Sequence, residues 1–128
     1  MKHADITERI IGCAYKIYNK MGYGYLESVY KKCLLIELRK IGYKAEAEKP
    51  ITVYYQGEAV GEFQADILVE DEIIVELKSV RQLAKTHEVQ VVNYLVATGR
   101  EIGLLSNFSE NGVEIRRKVR DLHRFDDN

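Results

Sequence analysis

Apolar positions in the N-terminal third of the chain recur every three or four residues. Ile6, Ile10, Cys13, Ala14, Ile17 and Met21 share one side of a 3.6-residue period, which predicts a helix from Asp5 to Met21. Gly22 and Gly24 interrupt it. Leu26, Val29, Tyr30, Cys33, Leu34, Leu38 and Ile41 restore the period and predict a second helix, with Gly42 at its C-cap. Beyond Gly42 the period drops to two. Tyr43–Lys49 alternates, Pro50 punctuates it, Ile51–Tyr55 reads as a strand and Gln56-Gly57 as a turn. Glu62–Val69 and Ile73–Val80 are two apolar strands flanking Glu70-Asp71-Glu72. Leu83–Thr98 reads as a third helix ended by Gly99. Ile102–Phe108 and Val113–Val119 read as final strands, joined by a turn at Ser109–Gly112. The order ααβββαββ predicts an α/β sandwich in which helices pack on a mixed sheet. No repeat, low-complexity tract or linker breaks the pattern, so a single domain over residues 1–128 is expected.

Two carboxylates interrupt the apolar strands: Asp66 in the first and Glu76 in the second, with Lys78 two residues further on. Strand side chains alternate faces, so Glu76 and Lys78 share a face with Ile74, and Asp66 shares one with Gln64 and Leu68. Phe63, Ala65, Ile67 and Val69 are expected together on the opposite face. If Glu70-Asp71-Glu72 is a three-residue hairpin loop, partners have numbers summing to 142. Asp66 then faces Glu76 and Gln64 faces Lys78, at Cβ separations of roughly 5 Å. A slip of one residue would destroy this arrangement. Two carboxylates so placed repel each other unless one is protonated or a positive charge sits between them. Lys78 supplies part of that charge, and oxygen ligands of this kind also suit a hard divalent cation such as Mg²⁺ or Mn²⁺. A Glu76–Lys78 pair on a solvated sheet surface, with Asp66 unrelated, is the other reading, and the hairpin alone leaves both open.

Composition adds limits. Hydrophobic residues make up 46% and charged residues 30%, which suits a folded globular chain. No apolar run approaches the ~20 residues of a membrane helix, and MKHADITERIIG lacks a signal-peptide core. Cys13 and Cys33 have no metal-type spacing and read as reduced core residues of a cytoplasmic protein. The net charge of −1 does not announce a nucleic-acid binder. Arg116, Arg117, Lys118, Arg120 and Arg124 crowd the C-terminal end, either as a solvated surface or as a hold on phosphate. No GxSxG, Walker or HExxH motif is present.

Asp66 followed by Glu76-Leu77-Lys78 resembles the D…ExK signature of the PD-(D/E)xK nuclease superfamily, the restriction-endonuclease-like fold. Gln90-Val91-Val92-Asn93-Tyr94 resembles the QxxxY motif of several of its branches. Gly24-Tyr25-Leu26-Glu27-Ser28-Val29-Tyr30 is similar to the signature of the GxxExxY proteins within it. The resemblance spans about Ile6 to Val119, with Ala65 standing where the family name puts proline. It implies a restriction-endonuclease-like sandwich and metal-dependent hydrolysis of DNA or RNA. It further implies Mg²⁺ or Mn²⁺ held by Asp66, Glu76, the Leu77 carbonyl and Glu27, with Lys78 assisting the attacking water.

On the third helix, His87, Gln90 and Tyr94 share a stripe. Gln90 is expected to bond the water, Lys78 or a phosphate; Tyr94 is expected at a phosphate or base, or in packing. His87 reads as a helix-end histidine or a site residue. Tyr30 is expected to orient Glu27 or to pack in the core, and Glu27 has the further reading of a helix N-terminal charge. A binding module without turnover, or an accessory subunit of the same fold, is the alternative function. Specificity would then come from a protein partner or a homodimer.

Overall fold

The computed structural model describes residues 3–120. Their elements are α1 (Ala4–Met21), α2 (Glu27–Lys40), β1 (Ala45–Tyr55), β2 (Glu58–Val69), β3 (Ile73–Lys78), α3 (Lys85–Thr98), β4 (Ile102–Ser109) and β5 (Gly112–Val119). The order ααβββαββ and the mixed α/β class are as the sequence pattern predicts. The strands form one sheet in the order β1-β2-β3-β4-β5. Neighbours are antiparallel except β3 and β4, which run parallel. A parallel neighbour needs a crossover, and α3 supplies it. None of the described helices is long and apolar enough to cross a membrane.

Two clusters lie on opposite faces of the sheet. Ile10, Cys13, Ala14 and Ile17 of α1, with Tyr30, Leu34 and Leu38 of α2, pack on Ile73, Val75 and Leu77 of β3. Val91, Tyr94 and Leu95 of α3 pack on Leu68, Ile74 and Leu105. β4, covered on both faces, is buried at every position. Cys13 and Cys33 are free thiols.

Element bounds differ from the sequence pattern where tertiary context decides. Tyr43–Lys49 and Ile51–Tyr55 merge into β1, which runs unbroken through Pro50. β1 is an edge strand, where a residue lacking an N–H costs no ladder bond. β3 stops at Lys78 rather than Val80, because Asn107 takes over the main chain there: its Oδ1 accepts from Val80 N–H and its Nδ2 donates to Val80 O, both at 2.9 Å.

The hairpin register is the predicted one. Val69 pairs with Ile73, Leu68 with Ile74 and Ile67 with Val75, around a loop where Glu70 and Asp71 adopt φ of 53° and 60°. The ladder then ends. β2 continues along β1 as far as Glu58 but leaves β3, so the expected Gln64–Lys78 pairing is absent. A second departure occurs at the same level. Ile67 and Val69 enter the α1/α2 cluster, whereas Ala65 enters the α3 cluster, so the two do not share a face as strict alternation requires. The β1–β2 ladder skips the Glu48–Asp66 position, and Glu48 has φ 54°. The ribbon turns over there, which sets Asp66 at a fork between β2 and β3.

α3 sits close because β4 offers it a glycine. A Cβ on Gly103 would stand 2.7 Å from Val91 Cγ1 and 3.4 Å from the Ile74 carbonyl oxygen. Gly103→Ala should therefore overpack the α3 layer by about 1–3 kcal/mol and lower the melting temperature by roughly 4–12 °C. An unchanged thermal melt would show that this layer yields freely.

Candidate functional site

At the fork, side chains complete what the ladder no longer provides. Asp66 N–H donates to Glu76 Oε2 at 2.7 Å, and Leu77 N–H donates to Asp66 Oδ2 at 2.8 Å. Each acid thus holds the other strand's main chain. One oxygen of each carboxylate, Asp66 Oδ1 and Glu76 Oε1, is left outside these bonds. The expected facing pair is realised through these reciprocal bonds rather than through a ladder pair.

The electrostatic cost is high. Glu76 is 4% exposed. Burial, then the negative charge of Asp66, pushes its carboxyl up from 4.5 to about 8, against the pull of the Asp66 N–H and Lys78. Asp66 is also raised, by burial first; the Leu77 N–H, Lys31 and Lys78 pull it down, and Glu27 pushes it up. Burial and the neighbouring carboxylate both favour the protonated form of Glu76, and a cation drawn between the two acids would reverse that preference.

Three elements bring further groups to the fork. Lys78 ends β3 and is partly buried. Its charge reaches both carboxylates, and among the described residues it has no ion-pair partner. From α3, Tyr94 is 6% exposed, with its ring 5.8 Å from that of Phe63. Burial and then the charges of Glu76 and Asp66 raise its hydroxyl. Gln90, one turn earlier, is half-buried. From α2 comes Lys31, which sequence reasoning missed. Its side chain is 18% exposed, and its Nζ lies 3.2 Å from Glu48 Oε1, at the point where the ribbon turns over. The available signal was its place one helical turn after Glu27. Asn107 was missed as well, and its signal was a lone amide inside the apolar strand Ile102–Ser109.

Other candidates stand apart. Glu27 is exposed at the start of α2, and its charge is felt by both carboxylates. Yet among the described residues no three His, Cys, Asp or Glu side chains are grouped closely enough to hold a metal. Tyr30 is fully buried, stacked on Phe108 with centroids 4.2 Å apart. Its hydroxyl donates to Gly22 O at 2.7 Å, so it packs the core and anchors the loop before α2. His87 caps α3: its Nδ1 accepts from Ala84 N–H, and its own N–H donates to Ala84 O, both at 3.0 Å. That is the helix-end role. The basic C-terminal run is locally occupied: Lys118 bonds Glu88 at 3.0 Å, Arg116 lies 3.6 Å from Glu114, and Arg117 donates to Thr7 Oγ1 at 2.7 Å. Arg124 lies outside the described residues.

The donor chemistry at the fork suits a hard divalent cation. Two carboxylates with no imidazole or thiolate match Mg²⁺ or Mn²⁺, which commonly take one or two carboxylates and fill the remaining positions with water and substrate oxygens.

A family model described as the PD-(D/E)XK nuclease superfamily matches residues 4–119. That match is to the superfamily; the narrower GxxExxY likeness rests on residues Gly24 to Tyr30. Among solved structures, one titled "Crystal structure of SSO0001" aligns with a TM-score of 0.59 at 18% identity, covering 94% of this chain and 60% of that one. The likeness is one of fold, and the chain spans about 60% of the length of that structure. No curated protein matches the chain.

The buried pair makes stability depend on pH. Folded Glu76 keeps its proton up to about pH 8, whereas the unfolded chain releases it near 4.5. Within that window the native state binds more protons than the unfolded one, so stability falls as pH rises. Thermal melts of the metal-free protein should show the melting temperature dropping between about pH 5 and pH 8. Glu76→Gln should flatten that slope; an equal slope in the variant would contradict the buried pair.

Proposed function

Because the chain belongs to the PD-(D/E)XK nuclease superfamily, we propose that it is a divalent-metal-dependent nuclease hydrolysing phosphodiester bonds in DNA or RNA. The supporting observation is the pair of mutually bonded carboxylates at the sheet fork, with Lys78 on the same strand as Glu76. Asp66, Glu76 and the Leu77 carbonyl would hold Mg²⁺ or Mn²⁺, with Glu27 reaching in from the start of α2 to complete the set. Bound there, the ion stabilises negative charge on the phosphate and lowers the pKa of a coordinated water.

The chain's own groups do the rest. Glu76 would hold the cation in its ionised form, since opposite charge offsets the burial that favours its neutral form. Lys78 offsets phosphate charge and orients the attacking water. Gln90 positions that water from α3, and Tyr94 closes the α3 side of the fork with its ring. Lys31 opposes the burial that raises the Asp66 carboxyl. We place the protein in the cytoplasm, where its two free thiols stay reduced. A partner or second copy would supply sequence recognition.

A second reading is a nucleic-acid- or protein-binding module of the same fold without turnover. The observation favouring it is that one oxygen of each carboxylate is held by a backbone N–H and no third acid joins them.

A panel of labelled DNA and RNA substrates separates the two. The wild type should degrade at least one of them with Mn²⁺ or Mg²⁺ and stop with EDTA. Asp66→Asn, Glu76→Gln and Lys78→Met should each reduce the rate by at least about a hundredfold while remaining folded. Undiminished cleavage by all three would place the activity elsewhere, and binding without cleavage would favour the silent module. In a parallel melt, Mn²⁺ at about a hundred times its Kd should stabilise the wild type by about 2.7 kcal/mol. Asp66→Asn should abolish that shift.

A further inference from the structure

Three clefts run end to end from Glu27. The first, about 500 Å³, lies between the Gly24–Ser28 segment and Ser79, the residue after Lys78. The second, about 330 Å³, shares Gly24 and Ser79 and extends to Tyr23 and Arg81. The third, about 400 Å³, shares Arg81 and continues to the β4–β5 turn. Together, through these shared residues, they form one groove that runs from Glu27 past Ser79 and Arg81 to the β4–β5 turn.

Its walls carry two aromatic rings that the core does not claim. Tyr23 is 56% exposed and Tyr25 46% exposed. Neither stands on a loose loop. Tyr25 O accepts from Ser79 Oγ at 2.8 Å, and its ring meets Tyr30 edge-on at 6.0 Å. Tyr30 in turn bonds Gly22 O. Large rings on an anchored segment, left half in water, suit a ligand with flat apolar faces.

The charge pattern selects the form of that ligand. Arg81 is exposed and, among the described residues, has no ion-pair partner. Glu110 and Glu114 line the same groove. One free cation among acids cannot cradle the dense phosphates of a duplex, but it can take one phosphate of a strand held mainly by its bases.

We infer that this groove binds a single-stranded segment of nucleic acid. Bases stack on Tyr23 and Tyr25, Arg81 contacts one phosphate, and the strand enters the fork past Glu27. The inference rests on the nuclease reading for its direction, and binding can be measured apart from turnover.

Fluorescence anisotropy of the full chain in EDTA, with fluorescein-labelled oligo(dT) and oligo(U) 12-mers and a duplex of the same length, tests it. Single strands should bind at least about tenfold more tightly than the duplex. Tyr23→Ala and Tyr25→Ala should each weaken single-strand binding by about fivefold or more, and Tyr23→Phe should restore it. The slope of log affinity against log salt should lie near −1, as for one or two phosphate contacts. Tyr23 touches no other ring among the described residues, so its variant tests the idea even if Tyr25→Ala unfolds. Wild-type affinity in Tyr23→Ala, equal binding of the duplex, or no oligonucleotide binding would each overturn the proposal. Tyrosine-dependent binding without cleavage in Mn²⁺ would sink the nuclease reading and leave the groove standing. Cleavage whose KM is indifferent to Tyr23→Ala would do the reverse.

Discussion

Two carboxylates that each accept the other strand's backbone N–H are the constraint around which this sheet is arranged. Each such hydrogen bond contributes about 0.5–1.5 kcal/mol, as the ladder bond it replaces does, and about 1.5–3 kcal/mol where the acceptor carries charge. Burial of the acids opposes that gain and raises both carboxyls above their ordinary values. The strands must part for the acids to fit between them, so the opening in the sheet and the chemistry within it have one cause.

Parting also lets both helical layers reach the same point. α1 and α2 cover one face and α3 the other, and a continuous sheet would keep them separate. Where β2 leaves β3, Lys31 from α2 acts on Asp66, and the charges of Glu76 and Asp66 act on Tyr94 from α3. The turn-over at Glu48 and Asp66 makes this possible, since it moves β2 from one layer's core to the other's. Gly103 then lets Val91 and Leu95 of α3 approach the sheet closely.

Much of this was legible in the residues. Periodicity located all eight elements, and the hairpin register followed from the loop length alone, down to the Ile67–Val75 pair. What alternation could not show was where it stops holding. A positive φ at Glu48 leaves no mark in the sequence, because glutamate is not a residue that favours it. For that reason Ala65 was assigned to the wrong face and Gln64 to a partner it does not have. The site was visible as residue types in order, but the helical stripe of His87, Gln90 and Tyr94 could not tell a cap from a wall; that depended on the main chain at Ala84. Lys31 and Asn107 stayed hidden for a related reason: each matters through a partner remote in sequence, Glu48 in one case and Val80 in the other.

An opened sheet exposes main-chain donors and acceptors that any extended peptide could copy, the usual route to runaway strand stacking between molecules. Here the outermost strand answers that hazard itself. Pro50 withholds a donor midway along β1, and charged Glu46 and Lys49 precede it, so an incoming strand finds a broken template. The protein can therefore keep a gap in its middle without its β1 rim becoming a seed for fibres.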